Sequence, residues 1–446
     1  MLIVAGQLLK THADPFEVPP EEALKVSAGA VAVMEGHIVA VGPLADLRAA
    51  HPEAEIHDHG EALIAPGFVD AHAHYPQTGI IASWGKRLID WLNGYTFPEE
   101  ARFGDPDHAR RIADLYLDLL LANGTTSVAS YGTSHPESVD AFFAAAEARG
   151  MRVIAGKTCM DRNAPDALTD TPQRAHDESA ALIARWHGRG RLGYAVTPRF
   201  TPTSSEAQLE ALGALWAANP TCAMQTHLSE QTDEVAWVRA LVPNARDYLD
   251  TYERHGLIGP GAMFGHAIHL APRERARLAE TGSAVIHCPT SNTFIGSGVF
   301  DLAGRRRDGI AVGLATDTGG GSSFSMLRTM AAAYEIGQLA GTALHPAQLL
   351  WLATEGSARA MRLKGKIGRI AKGMEADLAV LDLSSTEAIA QRAARASNVW
   401  EQVFPTVMMG DDRAVRATYV AGRPRHLIRG ETEPGQGLAA ATRSGT

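Results

Sequence analysis

Gly67-Phe68-Val69-Asp70-Ala71-His72-Ala73-His74 reads as a strand, because β-favouring residues lead without interruption into two histidines. Side chains two apart on a strand share a face, so His72 and His74 point the same way and can reach one metal ion. An H-x-H pair alone is weak evidence for a metal. Its weight depends on what the rest of the chain brings to the same place.

Seven further β-like runs follow at 125–132, 152–159, 192–199, 221–228, 262–269, 283–290 and 310–317. Helical patterns separate them. DPDHARRIADLYLDLLLANG (105–124) carries apolar residues at helical spacing and closes on a glycine. SVDAFFAAAEARG, AHDESAALIARWHGRG and SEAQLEALGALWAAN read in the same way. Eight strands, several nearly all apolar and each followed by a helical segment, predict an α/β fold with a closed parallel (β/α)8 barrel over 67–369. An open doubly wound sheet is the alternative topology.

The two ends have another style. Residues 1–66 read as short strands between turns, with VAVMEGHIVAVG as a hairpin around Glu35-Gly36. ADLAVLDL and RAVRATYVAGRPR return to that style near the end. Together, 1–66 and 370–430 predict one small β-sandwich domain built from both termini. Residues 431–446 are polar and Gly-rich and are expected to be a loosely ordered tail.

At 446 residues the chain can stabilise its own core, so a metal found in it serves chemistry rather than folding. Its 41 basic and 50 acidic residues sum to −9 with no basic run, which argues against a nucleic-acid partner. Cys159, Cys222 and Cys288 are odd in number and far apart, so no disulfide framework is expected and a reducing compartment fits. The opening MLIVAGQLLK lacks a basic leader, and no apolar run approaches the ~20 residues of a membrane span. A cytoplasmic protein without a membrane partner is the expectation.

Polar residues gather at the C-terminal ends of the predicted strands, where barrel enzymes build their sites. The first strand ends in His72 and His74, the fourth in Arg199-Phe200, the fifth in His227-Leu228-Ser229-Glu230. The sixth carries His266 and His269, the seventh His287-Cys288, and the eighth ends in Asp317. Each has an ordinary reading: a hydrogen-bonded core histidine for His266 or His287, a turn residue before Gly319-Gly320-Gly321 for Asp317, a small strand residue for Cys288. His57-Asp58-His59 is read as a solvated turn. Three histidines and an aspartate at one end of three strands are not explained as independent accidents. Gly319-Gly320-Gly321 lacks the lysine of a phosphate loop, and no H-x-E…P-C-x-x-C pattern is present.

PGFVDAHAH, THLSE, a histidine on the sixth strand, HCPTSN and an eighth-strand aspartate resemble the amidohydrolase superfamily. The longer strings HYPQTGIIASWGKRLIDWLNGYTFPEE, MDRNAPDALTDT, TPRFTPTSSE and GLATDTGGGSSFSMLRT are similar to its guanine deaminase family, from about residue 60 to 370. The resemblance implies one zinc per subunit, held by His72, His74, His227 and Asp317, with His266 beside the water or reacting centre. Histidine and carboxylate suit iron(II) as well. Binuclear relatives place a carbamylated lysine where Arg199 stands, and Lys157 does not fit that role, so a single metal is expected. It also implies a homodimer acting on guanine, in purine catabolism or salvage.

Deaminating an aromatic ring needs a water activated near neutral pH and a proton delivered to the ring. Glu230, three residues past His227, is expected to shuttle that proton, and Asp317 to act as ligand and as base toward the water. A helix-start carboxylate is the ordinary reading of Glu230. Gln77 offers an amide donor and acceptor, Arg199 a fork of donors, and Phe200 a stacking face, and the resemblance assigns all three to purine recognition. The segment 80–98, with Trp84, Trp91 and Tyr95, reads equally as a cover over the pocket or as packing at a subunit contact. The rivals are deamination of a pterin, an 8-oxoguanine or an s-triazine, a two-metal cyclic-amide hydrolase, and a non-catalytic scaffold.

Overall fold

The computed structural model describes residues 1–85 and 87–428. In chain order its strands are β1 (Leu2–Thr11), β2 (Leu24–Met34), β3 (His37–Gly42), β4 (Glu55–Pro66), β5 (Phe68–His74), β6 (Thr125–Tyr131), β7 (Arg152–Gly156) and β8 (Thr158–Cys159). β9 (Leu192–Pro198), β10 (Ala223–Leu228), β11 (Ala262–His266), β12 (Ala284–His287), β13 (Ala311–Leu314), β14 (Leu378–Leu381), β15 (Val415–Val420) and β16 (Arg423–Leu427) follow.

The barrel path runs β5-β6-β7-β9-β10-β11-β12-β13, with every neighbouring pair parallel and β8 paired to β9. The chain just past β13 returns to β5: Asp317 N donates to His72 O at 2.9 Å and His74 N to Thr318 O at 2.5 Å. The barrel is thus nearly closed, and the polar residues at its seam help to close it.

The predicted helices are present. Pro106–Ala122 starts on Asp105, whose side chain accepts from Asp107 N, and buries Ile112, Tyr116 and Leu120 on one stripe. Burying each such side chain contributes roughly 1.5–3 kcal/mol. Pro136–Arg149 ends at Gly150, whose φ of 69° is the left-handed stop that glycine tolerates. Thr171 and Ser205 cap Pro172–Trp186 and Glu206–Ala218.

The termini form one sheet in the order β16-β15-β14-β4-β1-β2-β3. It wraps a core in which Val4, Val31 and Ile64 from the N-terminal part meet Leu378, Val380 and Tyr419 from the C-terminal part. Glu35 (φ 50°) and Gly36 (φ 80°) form the turn of the β2–β3 hairpin, with the two left-handed residues its twist requires. Chain passage from this sheet to the barrel runs through Gly67, where a Cβ would lie 2.2 Å from Thr126 Oγ1. The expected tail at 431–446 lies outside the described residues.

Two sequence expectations are corrected. His57-Asp58-His59 is no solvated turn: it lies within β4, where His57 and His59 are buried and share the Tyr419 hydroxyl at 2.8 and 2.9 Å. Alternation puts both imidazoles on the face turned toward β15 and leaves Asp58 exposed. The other concerns length. β11, β12 and β13 stop at His266, His287 and Leu314, short of 269, 290 and 317: β11 ends where His266 and Ala267 take left-handed φ of 63° and 50°, and β12 ends before the helix Pro289–Phe294.

Candidate active site

His72 and His74 sit at the end of β5, both buried, with their rings 5.2 Å apart. Gly265 on β11 leaves His72 its space: a Cβ there would come within 2.6 Å of His72 Cε1. His227 is the penultimate residue of β10, and Ser229 (φ 49°) then turns the chain so that Glu230 precedes the helix Thr232–Leu241. Left-handed backbone at non-glycine residues costs of order 1–3 kcal/mol and gathers at functional sites. Four residues with such backbone, Ser229, His266, Ala267 and Asp317, lie around this one spot.

His227 Nδ1 lies 2.8 Å from Arg199 O and donates to it, which leaves Nε2 a bare lone pair. That Nε2 is 3.2 Å from His74 Nε2, and Asp317 Oδ1 is 3.4 Å from His74 Nε2 and 3.5 Å from His72 Nε2. A tetrahedral zinc with bonds of ~2.0–2.1 Å has donor–donor edges of about 3.3–3.4 Å. His72 Nε2 has no hydrogen-bond partner although it is buried. These four side chains therefore fit a zinc-sized cation. Burial pushes the pKa of His74 and His227 well below the usual histidine value, so both are neutral ligands at pH 7. Burial alone would raise Asp317, but the close approach of His72 and the neighbouring His266 and His227 outweigh it and hold the carboxyl at about 2.

His266 closes the other side. Its Nδ1 bonds Asn292 Oδ1 at 2.9 Å, and its Nε2 lies 3.5 Å from Glu230 Oε2 and 3.6 Å from Asp317 Oδ2. Burial works against the charged ring, but Glu230 and Asp317 outweigh it and raise the His266 pKa. Glu230 is buried, and burial pushes its carboxyl up. Its Oε1 accepts from Ser297 Oγ at 2.8 Å. The carboxyl is thus suited to carry a proton in a dry pocket.

A pocket opens over these groups. Gln77, Arg199 and Phe200 line it beside His74, His227, Glu230, His266 and Asp317. Leu88, Trp91, Leu92 and Thr96 form its outer wall, so part of the 80–98 segment covers the site, whereas Trp84 is 84% exposed. Tyr95 ties the segment together by donating to Trp84 O at 2.6 Å.

Every residue singled out for the site from sequence thus lies in one place. Sequence reasoning missed the side chains behind them. Glu100 is fully buried and bonds both Gln77 and Arg199. Asn292 and Ser297 orient His266 and Glu230. Glu234 accepts from the backbone N–H groups of Glu230 and Gln231 at 2.8 and 3.0 Å and from the Tyr248 hydroxyl at 2.7 Å, and burial with the nearby Glu230 lifts its pKa to about 7. Asn292 lies inside HCPTSN and could have been marked, but Glu100 in FPEE reads as an ordinary helix acid. Lys157 is no metal-site residue: it is buried in ion pairs with Asp170 and Glu178. Cys288 lies close enough to His72, His266 and Asp317 to share a cation with them.

The model of the amidohydrolase family matches residues 63–425, and that of the bacterial imidazolonepropionase-like composite domain matches 29–54. A guanine deaminase of Escherichia coli is 44% identical over 368 residues, covering 82% of this chain and 84% of its own. The solved structure of an E. coli guanine deaminase superposes with a TM-score of 0.93 at 39% identity, covering 96% of this chain and all of the other. A crystal structure of guanine deaminase from C. acetobutylicum, with guanine bound in its active site, gives a TM-score of 0.86 at 29% identity, covering 95% of this chain and 99% of the other.

Proposed function

The chain belongs to the amidohydrolase family and, within it, to the guanine deaminases, and from this we propose that its site hydrolyses guanine to xanthine and ammonia with one zinc ion per chain. One observation carries the reading: four donor atoms of His72, His74, His227 and Asp317 face one another beside a buried carboxyl, Glu230, in a pocket walled by Gln77, Arg199 and Phe200.

When bound, zinc supplies Lewis-acid activation, lowering the pKa of a water from 15.7 toward ~7. The chain's own groups do the rest. Asp317 takes a proton from the water as its oxygen bonds to C2 of the purine. Glu230, raised by burial, gives its proton to N3, so negative charge does not accumulate on the ring. His266, fixed by Asn292, holds the oxygen against C2. The C2–N bond then breaks, the proton held by Asp317 leaves with the amine as ammonia, and the remaining hydroxyl proton passes to Glu230 as the C2 carbonyl forms, restoring the acid. Water and guanine give xanthine and ammonia, with all atoms balanced.

Phe200 supplies a flat face, while Gln77 and Arg199 meet the polar edge. Arg199→Lys is expected to raise KM for guanine about tenfold or more, because a point donor cannot replace a fork already held at Glu100. An unchanged KM would remove Arg199 from recognition. Among the described residues no helix is long and apolar enough to cross a membrane. A cytoplasmic homodimer is part of the proposal, and light scattering checks the dimer.

The experiment for the function is kcat/KM across guanine, a pterin, 8-oxoguanine and an s-triazine with the metal-analysed protein. Guanine is expected to lead. Preference for another ring would replace the substrate and keep the machinery.

A further inference from the structure

Glu100 ends the short helix Phe97–Glu100 and is 0% exposed. Its two oxygens are divided between the recognition side chains: Oε1 accepts from Gln77 Nε2 at 2.9 Å, and Oε2 from Arg199 Nη1 at 2.7 Å. Three residues earlier, the Phe97 ring lies 5.5 Å from the Arg199 guanidinium. We propose that Glu100 is a positioning residue that sets which way round Gln77 and Arg199 present donors and acceptors, and so makes the site specific for a purine with a protonated N1 beside a 6-oxo group. The proposal rests on the guanine reading above.

A glutamine amide is nearly symmetrical in shape and opposite in chemistry at its two ends. A carboxylate only accepts, so the end of Gln77 facing Glu100 has to be its NH2. That fixes Oε1 as the free end. Gly319 N approaches it at 3.4 Å, and an oxygen with two lone pairs can accept once more. Gly319 also keeps this approach open, since a Cβ there would come within 2.7 Å of Gln77 O. Arg199 gives one of its five N–H groups to Glu100 and keeps others for a ligand. Glu100 also means that Arg199 is not an unpaired charge in a buried pocket. The pair therefore offers an acceptor beside donors. The N1–H and O6 of guanine are a donor beside an acceptor, the complement of that pattern. 2-Aminopurine carries the same amine at C2 but neither the N1 proton nor O6, so it gains nothing from the arrangement.

Glu100→Gln tests this, with kcat and KM measured separately for guanine and 2-aminopurine and zinc content determined. Where 2-aminopurine turns over too slowly, its inhibition constant against guanine serves. An amide at position 100 offers one acceptor where two donors converge, so Gln77 can turn over. The guanine to 2-aminopurine ratio of kcat/KM is expected to fall about tenfold or more, through KM for guanine and with zinc unchanged. Glu100→Asp keeps two acceptors and is expected to retain more of the ratio. Equal losses on both purines, or a glutamine variant as selective as the aspartate, would overturn the proposal. If the glutamine variant does not fold, the aspartate variant decides: its shorter reach lowers the ratio, and a wild-type ratio alongside a raised KM overturns. Failure of the wild-type protein to deaminate guanine would sink the parent reading instead.

Discussion

Glu230→Gln is expected to lower kcat for guanine by about 10³-fold while zinc content stays at one per chain and KM changes little, since a positioned general acid contributes 10²–10⁴. The substitution keeps the volume and the Ser297 hydroxyl contact but removes the only proton Glu230 can give. Glu230 is no exposed helix-start acid. It is buried, raised by that burial, and 3.5 Å from His266, inside the pocket rather than on the helix surface. The neighbouring Glu234 fills the helix-start role instead, by taking the backbone N–H groups of Glu230 and Gln231. Steady-state turnover with ICP metal analysis of the same sample checks this. A kcat within a few-fold of wild type would put another group at N3.

Asp317→Ala is expected to lose both the metal and the rate. Among the described residues, Asp317 is the only carboxylate within reach of His72, His74 and His266 together, through Oδ1 at 3.5 and 3.4 Å and Oδ2 at 3.6 Å. Three imidazoles without it carry no charge to offset that of the ion, and the proton from the water has no acceptor. Loss of several kcal/mol of transition-state stabilisation corresponds to about 10³-fold or more in kcat/KM. Excess zinc is expected to refill part of the site without restoring turnover, because the base is still missing. Full zinc retention with turnover within tenfold of wild type would contradict the assignment of Asp317.

Much of this was legible in the chain because periodicity and position agree. The eight expected strands occur in order, and His72, His74, His227, His266 and Asp317 converge as strand-end residues should. What failed did so for local reasons. His57 and His59 follow the same H-x-H alternation as His72 and His74, and alternation says that two side chains share a face without saying what that face meets. In β4 it meets Tyr419, 360 residues away, which no local pattern reveals. The end of β11 depends on left-handed backbone at His266 and Ala267, which the residue types there do not announce. Glu100 and Ser297 touch the site only through tertiary packing, so their types and spacing carry no signal of it, whereas Asn292 sits inside HCPTSN.

The central claim is that one cation, shared by His72, His74, His227 and Asp317, makes this pocket a guanine deaminase. Chelator-stripped protein titrated with zinc while ammonia release from guanine is followed tests it most directly. Ammonia production is predicted to rise from near zero and saturate at one equivalent of zinc per chain, with xanthine appearing in equal amount. Metal-independent release, saturation only at two equivalents, or no ammonia from guanine at any zinc level would contradict it.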